Sequence, residues 1–238
     1  MKFVELPVEE QVKDEKELDI MRRISEETVE VLENIHSDLK RFSHRDEIVR
    51  ELSDRINERG METAFEPYVI LNERTASPKP QQYGEEIVQG PMLIDMGLKD
   101  EGLNSDMTRM FFFGEPSREM RSRYEKLVEC QKELISKVRD GVKYRELDET
   151  AEEFLSNSEG EYIRGRLGHG IGENVNESPS CRGEDILREG MVITREPGLY
   201  FEDYGFRVED MVLVHENSSE ILTDYTKDMQ DLTVPYSQ

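Results

Sequence analysis

Along residues 15–42, largely apolar positions return every three or four residues: Leu18, Met21, Ile24, Thr28, Val31, Leu32, Ile35 and Leu39. That period predicts a long amphipathic helix with one buried stripe. Ser43 with Asp46 resembles a helix-start box, and Ile48, Val49, Leu52 and Ile56 predict a second helix that Gly60 ends. Strand-like pieces follow at 64–71, then a Pro-rich connection, Ser77-Pro78-Lys79-Pro80. Residues 92–113 read as a β-hairpin whose turn is Lys99-Asp100-Glu101-Gly102. The same order of elements then returns. A helix opened by Pro116-Ser117 turns Met120, Tyr124, Leu127, Val128, Gln131, Leu134, Ile135 and Val138 inward and stops at Gly141. A shorter helix covers 144–156. A glycine-rich turn (165–172), a polar loop (173–184), a strand at 191–194, an alternating strand at 206–214 and a last piece at Ile221-Leu222 complete the chain.

Helix, helix, strands, then helix, helix, strands: the halves cover roughly 15–115 and 117–215. This order predicts one α+β domain over 15–238 with pseudo-twofold symmetry and a site between the halves. Residues 1–14 read as an N-terminal lead-in. The 238-residue length suits one large domain. Charged residues make up 36% and the net charge is −23. Such a balance argues against nucleic acid and anionic membrane as partners, since phosphate binding needs a basic face. No apolar run approaches the ~20 residues of a membrane span. The charged N-terminus has no signal-type apolar region. Cys130 and Cys181 give neither a disulfide framework nor metal-ligand spacing. A cytoplasmic location is the expectation.

Two acids in the hairpin carry the first chemical signal. Asp95 and Asp106 sit eleven residues apart around the turn, opposite or nearly opposite on paired strands. Cross-strand neighbours on one face lie about 4.5–5.5 Å apart between Cβ atoms. Carboxylates that close repel unless a positive group stands between them, and a hard or borderline metal cation suits carboxylate oxygens. The competing reading is a solvated acidic hairpin. Three more candidate ligands lie in the second half. His169 stands between Gly168 and Gly170, which leave the imidazole unobstructed. Glu196 ends an apolar strand before Pro197-Gly198. Glu209 shares one face of an alternating strand with Arg207, which can hold a carboxylate by charge-assisted hydrogen bonds. Each of these also has a structural reading: a satisfied histidine, a simple turn, a solvated strand face.

The ordered set Asp95, Asp106, His169, Glu196 and Glu209, with spacings of 11, 63, 27 and 13, resembles the pita-bread metallopeptidase family. That family includes methionine aminopeptidases, Xaa-Pro aminopeptidases, prolidases and creatinase. The matching text is LIDMG, SDMTRMF, GHGIG, ITREPGLY and GFRVED, and the likeness runs from about residue 15 to 223. SDMTR-x-F, EPGLY and G-x-R-x-ED look closer to the Xaa-Pro aminopeptidase and prolidase branch. Its members usually carry a separate N-terminal domain; the likeness here is to the catalytic domain alone. The fold implied is two pseudo-twofold-related halves around a central antiparallel sheet.

The resemblance implies two divalent ions (manganese, cobalt, zinc or iron) held by Asp95, Asp106, His169, Glu196 and Glu209, with Asp106 and Glu209 bridging. Two metals at about 3.5–4 Å can hold a hydroxide and polarise a scissile carbonyl. Glu196 would act as proton shuttle, His169 as ligand and catalytic group, and Arg207 would orient the ligands. Two departures stand out. Where the family has a histidine before the hairpin, this chain reads Ala76-Ser77-Pro78-Lys79, so Lys79 or a neighbour stands there. Where the family has V-H-E after the glycine motif, this chain reads Val175-Asn176-Glu177, so Asn176 replaces it. The leading expectation is a dinuclear aminopeptidase or dipeptidase of Xaa-Pro type, weak or altered in specificity, acting on a small peptide, with a homodimer as an open assembly. The rivals are a same-fold hydrolase with a non-peptide substrate and a metal-binding but non-catalytic interaction module.

Overall fold

The computed structural model describes residues 2–77, 85–156, 167–180 and 185–236, and the backbone of 161–162. Lys79 lies outside the described residues, as do parts of the glycine-rich turn and the polar loop. A short helix α1 (Val8–Gln11) precedes the long α2 (Glu15–Asp38), a 3-10 turn (Leu39–Arg41) and α3 (Arg45–Glu58). Then come β1 (Glu62–Thr63), β2 (Tyr68–Leu71), β3 (Gly90–Met96), β4 (Leu98–Asp100), β5 (Leu103–Asn104) and β6 (Met107–Phe113). Helices α4 (Arg118–Ser136) and α5 (Tyr144–Leu155) lead to β7 (Glu161–Tyr162), β8 (Val192–Arg195), β9 (Gly198–Tyr200) and β10 (Gly205–Arg207). Strands β11 (Asp210–Val214), β12 (Ser219–Ile221) and β13 (Thr233–Val234) close the chain. The doubled order of helices and strands is the one the periodicity predicts, and the fold is α+β.

Helix α2 starts where Asp14 accepts from the Glu17 N–H while the Glu17 carboxylate accepts from the Asp14 N–H, each at 2.8 Å. This reciprocal cap satisfies two donors that the first turn leaves orphaned. The buried stripe of α2 includes Met21, Ile24, Thr28, Val31, Leu32 and Ile35, and it lies under the hairpin. There the Thr28 and Ser105 hydroxyls meet at 2.6 Å. For α3 the box sits one residue later than expected: His44 is the N-cap, and Glu47 rather than Asp46 accepts from the Ser43 and His44 N–H groups. The N-cap-to-N3 spacing fits that pair.

The central sheet runs β13-β6-β3-β2. Its β2–β3 and β3–β6 pairs are antiparallel, and β13 joins the edge in parallel. Two residues are too short a strand to show alternation, which is why β13 is invisible in the sequence. Strand β6 is buried along its whole length, as a strand covered on both faces must be. A second sheet, β12-β11-β8, is antiparallel, and α4 and α5 share its core through Leu134, Leu147, Ile193 and Val212.

Two expectations change at the strands. The strand expected at 64–71 is regular only from Tyr68, because Pro67 offers no N–H to a ladder and Ala64 donates to Gly97 instead. The strand expected at 206–214 is two strands: β10 pairs with β9, β11 pairs with β8, and a single bridge between Thr108 and Glu209 joins this crossing to β6. Alternation continues through the crossing, so a period-2 pattern cannot show the change of partner. Residues of the lead-in pack on the domain, with Val4 bridged to Glu177 and Val12 to Met191.

One buried charge network fixes that crossing from behind. Arg109 on β6 is fully buried. It donates to the carbonyls of Glu209 at 2.6 Å and Thr223 at 3.0 Å, and it pairs with Asp210. Lys227 reaches Asp210 at 2.7 Å. Burial alone would raise the Asp210 pKa; Arg109 and Lys227 outweigh it and hold the carboxyl below its ordinary range. Removing one partner of such a pair leaves a buried charge uncompensated. Arg109→Met is expected to lower the free energy of unfolding by about 3–5 kcal/mol, read from urea denaturation. A loss below about 1 kcal/mol, the scale of an exposed ion pair, would show that the network contributes little.

Candidate metal centre

The hairpin of β3 to β6 delivers the first two acids. Its tip is a two-residue turn at Glu101 and Gly102, both with positive φ (48° and 89°), between Asp100 and its partner Leu103. Positive φ at both central residues matches the twist of antiparallel strands. The register places Asp95 opposite Thr108, not opposite Asp106. Asp106 therefore stands diagonally across from Asp95 and on the same face, since it lies two residues from Thr108. The expectation that the acids lie opposite or nearly opposite thus resolves to a two-residue offset, and the two side chains are neighbours.

The second half supplies the rest. Gly168 has φ +140°, and a Cβ there would lie 1.9 Å from the Thr194 carbonyl oxygen. Only glycine lets the backbone pass so close to β8. His169 next to it is locked to β8: its N–H donates to the Thr194 hydroxyl at 3.1 Å, and its carbonyl accepts from the Thr194 N–H at 2.7 Å. Its Nδ1 lies 3.1 Å from the Gly170 carbonyl. Assigning the proton to Nδ1 leaves the Nε2 lone pair facing the acids. Nε2 is 3.8 Å from Asp106 Oδ2 and 3.5 Å from Glu196 Oε1. These contacts are not ion pairs, because burial pulls the His169 pKa down to about 4. The ring is neutral, the form that binds metal.

Glu196 follows β8, with its N–H fixed on the Leu167 carbonyl at 2.9 Å. Glu209 sits at the strand crossing and accepts from the Thr108 hydroxyl at 2.7 Å. Arg207 donates to Thr108 Oγ1 at 3.2 Å and also pairs with Asp95. Donor atoms of Asp106, His169 and Glu209 all lie within 4.8 Å of one another. Glu196 flanks this group on the His169 side, and Asp95 flanks it beside Asp106, turned toward Arg207. Three of the five residues expected as ligands thus form one group, and the other two lie beside it. Asn176 stands half-buried on the His169 loop, its carbonyl accepting from the Val4 N–H at 3.0 Å.

The electrostatics of the cluster follow from its burial and crowding. Burial raises the Asp106 pKa well above normal, and Glu209, Asp95 and Glu196 push it further. Burial raises Glu209 in the same way, with Glu196 and Asp95 adding to it and Arg207 opposing. Asp95 is also raised, chiefly by burial, less so because Arg207 faces it. Asp95 Oδ1 and Asp106 Oδ1 are buried without a hydrogen-bond partner, and buried polar atoms are ordinarily satisfied. Two orphaned acceptors, crowded acids and one neutral imidazole fit a divalent cation. This oxygen-rich donor set suits manganese, iron or cobalt better than a thiolate-seeking metal.

Sequence reasoning passed over Thr108, whose hydroxyl ties Glu209 to Arg207. The available signal was a threonine within the run Met107 to Phe113, otherwise apolar except for Arg109. It also passed over Arg109, the other polar residue of that run.

Comparison with known proteins gives the family. Residues 19–216 match the metallopeptidase family M24. An uncharacterized peptidase of Staphylococcus haemolyticus is 33% identical over 222 residues, covering 91% of this chain and 63% of the relative. An uncharacterized peptidase of Staphylococcus aureus matches to the same extent. The chain thus spans 63% of the length of these curated relatives. Among solved structures, an X-Pro aminopeptidase from Thermotoga maritima superposes with a TM-score of 0.87 at 30% identity, over 95% of this chain and 65% of that one. A prolidase from Pyrococcus furiosus gives 0.84 at 29%, over 91% and 66%.

The raised carboxyls set a pH dependence. Asp95, Asp106 and Glu209 hold protons above the usual carboxylate range, and a cation requires them ionised, so binding expels protons. His169 contributes none above its pKa of about 4. Manganese affinity is expected to rise as pH climbs above the ordinary carboxylate range, with proton release measurable by calorimetry in buffers of different ionisation enthalpy. Affinity independent of pH and zero proton release would contradict the assigned protonation states.

Proposed function

The chain belongs to metallopeptidase family M24, and from that premise we propose that it is a dinuclear, metal-dependent aminopeptidase or dipeptidase acting at Xaa-Pro bonds of small peptides. The observation that carries this reading is the convergence of Asp95, Asp106, His169, Glu196 and Glu209, with two buried carboxylate oxygens left without partners. The likeness to an X-Pro aminopeptidase and a prolidase supports the Xaa-Pro assignment.

Those five residues would hold the metals. Bound there, divalent ions supply Lewis acidity to the scissile carbonyl and make water nucleophilic at neutral pH. The chain's own groups do the rest. Glu196, the most open of the four acids at 18% side-chain exposure, takes a proton from the attacking water and returns it to the leaving amine. Thr108 fixes one oxygen of Glu209, and Arg207 holds Asp95, so the carboxylates are oriented before substrate arrives. Asn176 donates a hydrogen bond to the developing oxyanion but cannot change protonation state, so turnover is slow.

The test is turnover of Xaa-Pro and Met-Xaa peptides with manganese, cobalt or zinc. Slow Xaa-Pro cleavage is expected, with a gain of about 10²-fold in kcat for Asn176→His, the scale of one oxyanion donor. A gain of nothing, with vigorous wild-type cleavage unaffected by Asn176→Ala, would show that Asn176 has no part in catalysis. No turnover by any variant with metal bound would remove the peptidase reading.

A further inference from the structure

The lead-in segment touches the site loop more closely than its sequence foretells. Residues 4–6 run beside 176–178: the Val4 N–H donates to the Asn176 carbonyl at 3.0 Å, the Ser178 N–H to the Val4 carbonyl at 3.1 Å, and the Leu6 N–H to the Ser178 hydroxyl at 3.3 Å. Further along, the Lys13 N–H donates to the Gly190 carbonyl at 3.0 Å. The segment therefore crosses the loop and is anchored on both sides of it. At its end the Lys13 ammonium reaches Glu177 Oε1 at 2.8 Å, with the two side chains 4% and 1% exposed.

Glu177 spends its remaining capacity on the loop itself. Its second oxygen accepts from the Asn174 N–H at 3.0 Å and from the Asn174 side-chain amide at 3.2 Å. Its backbone exchanges two hydrogen bonds, each 2.9 Å, with Gly170, the residue after His169. A displacement of Glu177 is thereby transmitted to Asn176 on one side and His169 on the other. Gly172 seals the arrangement, since a Cβ there would lie 2.4 Å from Lys13 Nζ and 2.6 Å from Glu177 Oε1. From the hairpin side, the Asn104 amide donates to the Gly172 and Glu173 carbonyls at 2.9 and 3.0 Å. The loop is held between the lead-in and the strand that leads into Asp106.

We propose that Lys13 is a positioning residue for the site: by fixing the Glu177 carboxylate it sets the loop that presents His169 and Asn176. The proposal rests on the metal-site reading above for its effect on binding, but its effect on the loop is independent of that reading. An anchor serving stability alone could end on any buried acid. This one ends on the acid whose other bonds all lie within the loop of His169.

The test uses the intact chain carrying Lys13→Met, and separately Gly172→Ala, which displaces the pair without removing a charge. The double variant Lys13→Met/Glu177→Gln leaves no unpaired buried charge and serves if Lys13→Met does not fold. Amide exchange is followed without metal, and manganese affinity by calorimetry well below the melting temperature. Exchange at Gly170, Glu177 and Ser178 is expected to quicken at least about tenfold while α2 and β6 stay protected, and manganese affinity to weaken about tenfold, the low end for groups that orient ligands. Unchanged loop exchange, or a lowered melting temperature with unchanged manganese affinity, overturns the proposal and leaves Lys13 a stabilising residue only. If the wild type binds no manganese, the metal reading fails by itself, and the exchange result alone decides whether Lys13 positions the loop.

Discussion

Four carboxylates gathered in the interior of a protein repel one another, and most of this structure can be understood as what holds them there. Asp95, Asp106, Glu196 and Glu209 share one pocket with a neutral imidazole, and Arg207 is the cation that pairs with one of them. Like charges in a medium of reduced dielectric interact by several kcal/mol at contact distances. In the absence of a cation, protonation is the available relief, and the raised pKa values of Asp106 and Glu209 express it. A bound dication would replace that relief with attraction.

Rigid strands make the crowding tolerable by denying the acids anywhere else to go. Strand β6 is buried from end to end, and its neighbour β3 carries Asp95 in a fixed register. Opposite them, the chain changes sheets at Glu209, and the Thr108 hydroxyl and the Arg109 guanidinium grip this residue from its two ends, side chain and carbonyl. Successive residues of one strand thus serve the two faces of the sheet, Thr108 toward the acids and Arg109 toward the supporting network with Asp210. The His169 loop is tied to β8 through Thr194 and to the lead-in through Glu177. The pocket is built where separate parts of the chain meet, and Thr108, Arg207 and Thr194 hold the candidate ligands Glu209, Asp95 and His169 in place.

The helices were legible because a 3.6-residue period survives in one sequence: the stripe from Met21 to Ile35 is the buried face of α2. The hairpin was legible from its turn and its flanking apolar runs. Register within it was not, because the bend at Gly97, where a Cβ would lie 2.0 Å from the Ser105 carbonyl oxygen, leaves no periodic trace. The strand break before Asp210 and the parallel edge strand β13 were hidden for a related reason, since pairing partners lie far away in sequence. The five acid and imidazole positions stood out as an ordered set resembling a family, whereas Asp210, Lys13 and Glu177 looked like ordinary charges of an acidic surface. Their burial against partners far away in sequence is a tertiary fact, and no local pattern encodes it.

The central claim is that the carboxylate cluster is strained by its own charge and is completed by metal. Asp106→Asn tests it most directly, because an amide of the same shape cannot ionise and takes away one strong ligand. Urea denaturation in the presence of a chelator, followed by manganese titration, measures both consequences on one sample. The account predicts that the metal-free variant is as stable as the metal-free wild type or more so at pH 7, and that its manganese affinity is lower by at least about 10²-fold, more than the loss of a mere orienting group costs. A variant that is markedly less stable without metal, or that binds manganese as tightly as the wild type, would contradict it.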